Sequence, residues 1–118
     1  MKDFVLIYKG GDPDWMENTS PEEMAAMMEK WGAWMGALQQ NGQLTSGGSP
    51  LHYAGVRINA DGVVTDIVSS EFKELVSGYS VIKAASADEA LTIAKDCPVL
   101  LGDTGVVEIR EVVDMGPS

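Results

Sequence analysis

Few side chains in this sequence could act as acid, base, nucleophile or metal ligand. His52 is the only histidine. It follows Gly47-Gly48-Ser49-Pro50-Leu51, and an imidazole titrates near neutral pH, so it is a candidate general acid or base. An exposed loop histidine with no special role fits the same pattern. Asp66, Glu71 and Lys73 fall together after a hairpin pattern. Asp66 is the second candidate catalytic group, as an acid–base group or polar anchor at a cleft; a solvated loop with a weak surface pair is the plainer reading. Tyr8, Tyr79 and Arg57 can each give a polar end to an apolar pocket, or be strand residues with a wet tip. Cys97 precedes Pro98 without a basic neighbour and reads as a small buried hydrophobe, not a nucleophile. One histidine and one cysteine do not make a usual zinc site, so no metal and no cofactor are expected. The sequence holds no Ser–His–Asp, Cys–His or nucleotide-binding signature. Gly-rich Ser46 to Pro50 lacks a P-loop lysine and does not open a helix, so it is better suited to close approach of a ligand or a partner subunit than to phosphate.

The element that must position these groups is a helix over Ser20 to Gly42. Ser20-Pro21-Glu22-Glu23 is a capping box with proline where its missing N–H is harmless, and Asn41-Gly42 is a stop. Met24, Met27, Met28, Trp31, Trp34, Met35 and Leu38 share an arc of roughly 120°, which a sheet is expected to cover. Gly32 and Gly36 lie beside that arc. Their missing side chains suit either close packing of another backbone or room for a ligand next to the two tryptophans.

Around this helix the chain reads in order. Phe4 to Tyr8 is a strand that is apolar on both faces, with Phe4, Leu6 and Tyr8 on one and Val5 and Ile7 on the other. Gly10 to Asp14 breaks it, and Trp15 and Met16 follow in a loop. Leu44 and Thr45 start a strand with an irregular continuation. Ala54 to Val68 is a hairpin turned by Asp61-Gly62. Gly78 to Ala84 is a further strand. Ser86-Ala87-Asp88-Glu89 is a second capping box, opening a short helix that Pro98 ends. Val106 to Val113 is the last strand.

At 118 residues the chain is expected to be one domain over residues 1–118. A net charge of −10 argues against nucleic acid and anionic membranes, both of which need basic patches. A single cysteine, no run of about 20 apolar residues and no secretory leader point to a cytoplasmic protein.

The order strand, long helix, strand, hairpin, strand, short helix, strand predicts an α+β fold: a ferredoxin-like split βαβ sandwich with an inserted β-hairpin. Two helices cover only one face of such a sheet. The other face would be an apolar patch of hundreds of Å², which monomers avoid. A second copy across a two-fold axis is the simplest cover, giving a homodimer.

These features resemble the YCII-related family, in its branch named for a D-G-P-F motif, within the dimeric α/β barrel superfamily. The resemblance rests on Phe4-Val5-Leu6-Ile7-Tyr8, Ser20-Pro21-Glu22-Glu23-Met24, Trp34 with Leu38 before Gly42, Val64-Thr65-Asp66, Glu71 with Lys73-Glu74, Gly78-Tyr79, and Ala87-Asp88-Glu89-Ala90-Leu91 leading to Cys97-Pro98. It implies the dimeric barrel. Two departures matter. The D-G-P-F position reads Asp66-Ile67-Val68-Ser69. The helix histidine of shorter family members, suggested to pair with an aspartate as acid and base, is matched by Trp31, and no aspartate lies between Gly42 and Tyr53. The resemblance therefore implies a fold and a dimer but no reaction.

Two functions remain in view. One is binding of a small organic ligand between sheet and long helix, lined by Trp31, Trp34, Met27, Met35, Gly32, Gly36 and Tyr79, with His52 and Asp66 as polar groups. The other is a non-catalytic accessory or regulatory dimer acting through protein contacts.

Overall fold

A computed structural model describes residues 1–12, 14–67, 74–102 and 104–116. Its architecture is α+β and ferredoxin-like. In chain order the elements are β1 (Lys2–Lys9), α1 (Trp15–Asn18), α2 (Pro21–Gln40), β2 (Leu44–Pro50), β3 (Val56–Ile58), β4 (Val64–Asp66), β5 (Val76–Ala84), α3 (Ala87–Ala94), a 3-10 turn (Pro98–Leu101) and β6 (Val106–Glu111). The main sheet is four-stranded in the order β2-β5-β1-β6, and β3 and β4 form a separate two-stranded sheet. The inserted hairpin of the sequence is thus real, but it stands apart from the sheet.

β1 is central because both its faces are apolar. It pairs antiparallel with β5, Phe4 opposite Ile82 and Val5 opposite Val81, and with β6, Leu6 opposite Ile109. The strand period of two sends Phe4, Leu6 and Tyr8 to one side. There they meet Ile82 and Ala84 of β5, Leu38 of α2, Ala90 and Ala94 of α3, and Cys97 in the buried cluster. Both helices therefore sit on one face. Val5, Ile7 and Val81 point the other way and take no part in that cluster.

α2 starts as its residues dictate. The Ser20 hydroxyl accepts from the Glu23 N–H at 3.1 Å, and the Glu23 carboxylate accepts from the Ser20 N–H at 3.2 Å. The second box closes differently. Ser86 Oγ accepts from the Glu89 N–H, but the Glu89 carboxylate accepts from the Ala85 N–H and from Gln43 Nε2. Glu89 thereby ties the start of α3 to the connection between α2 and β2.

Two expectations are corrected and one is met. Trp15 opens the short helix α1, not a loop. The Gly-rich stretch Ser46 to Pro50 is the irregular continuation expected: it is part of edge strand β2, whose register against β5 shifts twice. Gly48 takes a φ of +69° there, and any β-carbon on it would strike the Tyr79 carbonyl. Third, the apolar arc of α2 is only partly covered: Trp31, Trp34 and Leu38 pack on the cluster, whereas Met27 and Met28 are exposed. The buried segment Phe4 to Tyr8 is about 17 Å long; a 20-residue helix is about 30 Å long and outruns it.

No helix among the described residues is long and apolar enough to cross a membrane.

Candidate functional site

Aromatic and polar side chains converge between α2 and the sheet, at Tyr8. The Tyr8 ring meets Trp31 edge-on, centroids 5.4 Å apart, and Trp31 meets Trp34 in the same manner at 5.8 Å. Trp34 Nε1 donates to the Ile93 carbonyl at 3.2 Å, which pins the column to α3. Edge-to-face pairs of this kind add about 0.5–1.5 kcal/mol beyond area burial. Trp31 and Trp34 are each half-buried, so the column's outer side remains accessible.

Beneath it runs a short polar chain. The Tyr8 hydroxyl donates to Ser80 Oγ at 2.7 Å, and Ser80 Oγ donates to the Gly47 carbonyl at 2.8 Å. Ser80 is fully buried, and burial of a hydroxyl is tolerated when both its roles are filled. The irregular backbone of β2 has a purpose here, since it turns the Gly47 carbonyl toward Ser80. Met35 packs on the same bulge, its sulfur 3.3 Å from where a Gly47 β-carbon would stand. Replacing Ser80 by Ala is expected to orphan the Tyr8 hydroxyl and the Gly47 carbonyl together. The predicted loss is about 1–3 kcal/mol by urea titration, and Tyr8→Phe on the same background should recover part of it.

The Cys97 thiol neighbours the Tyr8 hydroxyl. Burial pushes Cys97 above its ordinary 9.0 and Tyr8 above its ordinary 10.0. Both groups are thus held neutral, and Cys97 is the inert hydrophobe its sequence context suggested. The sign for stability follows. A folded pKa above the unfolded one contributes stability present below the unfolded pKa and lost as pH rises past it. The urea midpoint is expected to fall once pH exceeds about 9, and Cys97→Ala should move that onset toward about 10.

The residues predicted from the sequence to line a ligand site divide into three groups. Trp31, Trp34 and Met35 come together on the helix side of the sheet. Met27 is exposed further along α2. Gly32 and Gly36 have nothing within 4 Å of a β-carbon position, so they border open space and no second backbone packs on them within the described chain. Tyr79 lies on the opposite face of the sheet, paired across from Ile7. His52 is exposed in the loop after β2, and Asp66 is exposed at the end of β4, opposite Val56. Glu71, Lys73 and the Val68-Ser69 part of the D-G-P-F position lie outside the described residues. Among the described residues, no group of three or more His, Cys, Asp or Glu is placed to hold a metal ion.

Sequence reasoning missed Ser80 and the Gly47 carbonyl as the partners of Tyr8. The signal was a serine on the inward face of a strand whose neighbours on that face, Ile82 and Ala84, are apolar. It also missed a surface groove of about 440 Å³ between α2 and the 3-10 turn, lined by Lys30, Ala33, Lys95, Asp96, Leu100 and Leu101 among others.

Compared with known proteins, residues 4–116 match the family profile described as the YCII-related domain. No curated protein matches the chain.

Proposed function

Because the chain belongs to the YCII-related domain family, we propose that it works as a cytoplasmic homodimer of the dimeric α/β barrel type, each protomer binding a small organic ligand on the helix side of its sheet. The observation that carries the binding role is the half-buried aromatic column Tyr8–Trp31–Trp34. It offers flat apolar surface beside Met35 and the exposed Met27, and thioethers adapt readily to irregular ligands.

The dimer is supported by the sheet's other face. Val5, Ile7 and Val81 form an apolar centre there, with Tyr79 beside them. Ion pairs flank this centre: Lys83 Nζ to Asp3 at 3.1 Å at one end, and Lys9 Nζ to Glu108 at 3.3 Å at the other. An apolar centre with a charged rim is the ordinary anatomy of a protein interface. The chain is also spread for its mass. Its radius of gyration is 15.8 Å, against about 13.5 Å for a compact domain of this length. Its accessible surface is 8120 Å², about 1,900 Å² more than a self-contained monomer of 12.6 kDa would expose. That surplus is the size of a homodimer interface.

The binding role is tested by tryptophan fluorescence, titrated with a panel of small aromatic and aliphatic acids, amides and alcohols. The expected result is a saturable change with at least one class, lost in Trp31→Ala while the circular dichroism is retained. No response to any class would remove the ligand and favour the second reading, a non-catalytic accessory dimer that acts through protein contacts. That reading is favoured by the exposed Met27 and Met28.

A further inference from the structure

Lys2, Lys9 and Lys83 each pair with a carboxylate. Lys30 and Lys95 are the described lysines that make no ion pair with a described residue. They are left so in a chain with 18 acidic residues against 8 basic ones. Helix spacing offers them nothing either: Lys30 has Ala26 and Trp34 four residues away, and Lys95 has Leu91. Both line the same groove between α2 and the 3-10 turn, Lys30 from α2 and Lys95 from the end of α3.

Apart from Asp96, the other residues lining this groove are apolar. Cys97 and Pro98 are buried, whereas Leu100 and Leu101 stand in water, Leu101 at 69% exposure. The turn that carries the leucines is fixed. The Cys97 N–H donates to the Ala94 carbonyl at 3.0 Å and the Leu100 N–H to the Cys97 carbonyl at 3.1 Å. Gly105 packs on the Val99 carbonyl with no room for a β-carbon. At about 440 Å³ the groove has the size of a small-molecule site, about 300–1,000 Å³.

We propose that this groove binds an amphipathic monocarboxylate of the medium-chain fatty acid class. Lys30 and Lys95 hold its head, and its chain lies along Ala33, Leu100 and Leu101. None of Tyr8, Trp31 or Trp34 lines the groove, so this site does not depend on the aromatic column. The head charge follows from the groups present. Two ammonium groups against the one carboxylate of Asp96 leave a single positive charge, and the C-terminal end of α3 lowers the potential further. That balance suits one negative charge and disfavours a phosphate dianion. The tail follows from the leucines, which a flexible aliphatic chain can cover without reordering a turn that is already fixed.

The test is a methyl NMR titration of the full chain with decanoate, and with decanol as the uncharged probe of equal tail. It is run on wild type, on the double variant Lys30→Gln with Lys95→Gln, and on Trp31→Ala. Both lysines are exposed, and circular dichroism checks each fold. The expected result is a saturable decanoate shift at the Ala33, Leu100 and Leu101 methyls, retained in Trp31→Ala. The double variant should weaken the decanoate Kd by about tenfold or more, and wild type should bind decanol as weakly as that variant binds decanoate. A decanoate Kd unchanged in the double variant overturns the proposal, as does decanol binding as tightly as decanoate. Shifts confined to the surroundings of Trp31 and lost in Trp31→Ala overturn it too, while supporting the ligand on the aromatic column. Absence of saturation at millimolar decanoate overturns it and leaves that other reading untouched.

Discussion

Replacing Ile7 by Lys is expected to turn the protein into a folded monomer. Ile7 sits at the middle of the sheet face that both helices leave bare, opposite Tyr79 on one neighbouring strand and Glu108 on the other. It takes no part in the buried cluster, so the protomer has little to lose. In a two-fold dimer the substitution acts twice, placing two ammonium groups in an apolar centre. Glu108, directly opposite, already pairs with Lys9 at 3.3 Å and compensates the new ammonium only in part; burying the added charge still costs about 3 kcal/mol, on the order of a hundredfold in Kd. Sedimentation equilibrium reads the dissociation and far-UV circular dichroism reads the retained fold. An Ile7→Lys protein that dimerises with wild-type affinity would place the interface elsewhere.

Phe4→Ala, three residues away on the same strand, should do the reverse. Phe4 is almost wholly buried, pairs across from Ile82, and lies among the residues that join the sheet to both helices. Truncating a buried phenylalanine removes its transfer energy and leaves a cavity, together about 3–5 kcal/mol. For a domain with about 5–15 kcal/mol in total, that is roughly a fifth of its stability or more. The thermal midpoint should fall by about 10 °C or more at fixed protein concentration. The contrast between positions 4 and 7 comes from strand geometry alone, since an odd separation along β1 means opposite faces.

That same period explains what was legible in the sequence. Phe4 to Tyr8 announced a doubly apolar strand, and Ser20 with Glu23 announced a helix start, because both signals are local and their partners lie within a few residues. The split βαβ order then followed from connection rules. The ligand site was less legible for a physical reason. Periodicity says which residues share a face of α2, but not how far the surface beneath extends. Met27 and Trp31 therefore read alike, although only Trp31 packs on the buried cluster and Met27 is exposed. Gly32 and Gly36 read as either a close approach of another backbone or room for a ligand, and each borders open space. Tyr79 was a matter of face: on β5 the inward residues are Ser80, Ile82 and Ala84, which sends Tyr79 to the other side. The Tyr8–Ser80–Gly47 chain joins residues far apart in sequence through a bulged edge strand, and no short-range pattern records it.

The hairpin carries a similar lesson. Its turn chemistry was readable from Asp61-Gly62, and its alternation from Val56, Arg57 and Ile58. Nothing so local records that it stands apart from the main sheet.

Light scattering of the wild-type protein at micromolar concentration bears on the central claim most directly. A mass of twice 12.6 kDa is the expected result, with the bare sheet face closed by its own copy. A mass of 12.6 kDa, with Val5, Ile7 and Val81 left to water in a stable protein, would contradict it.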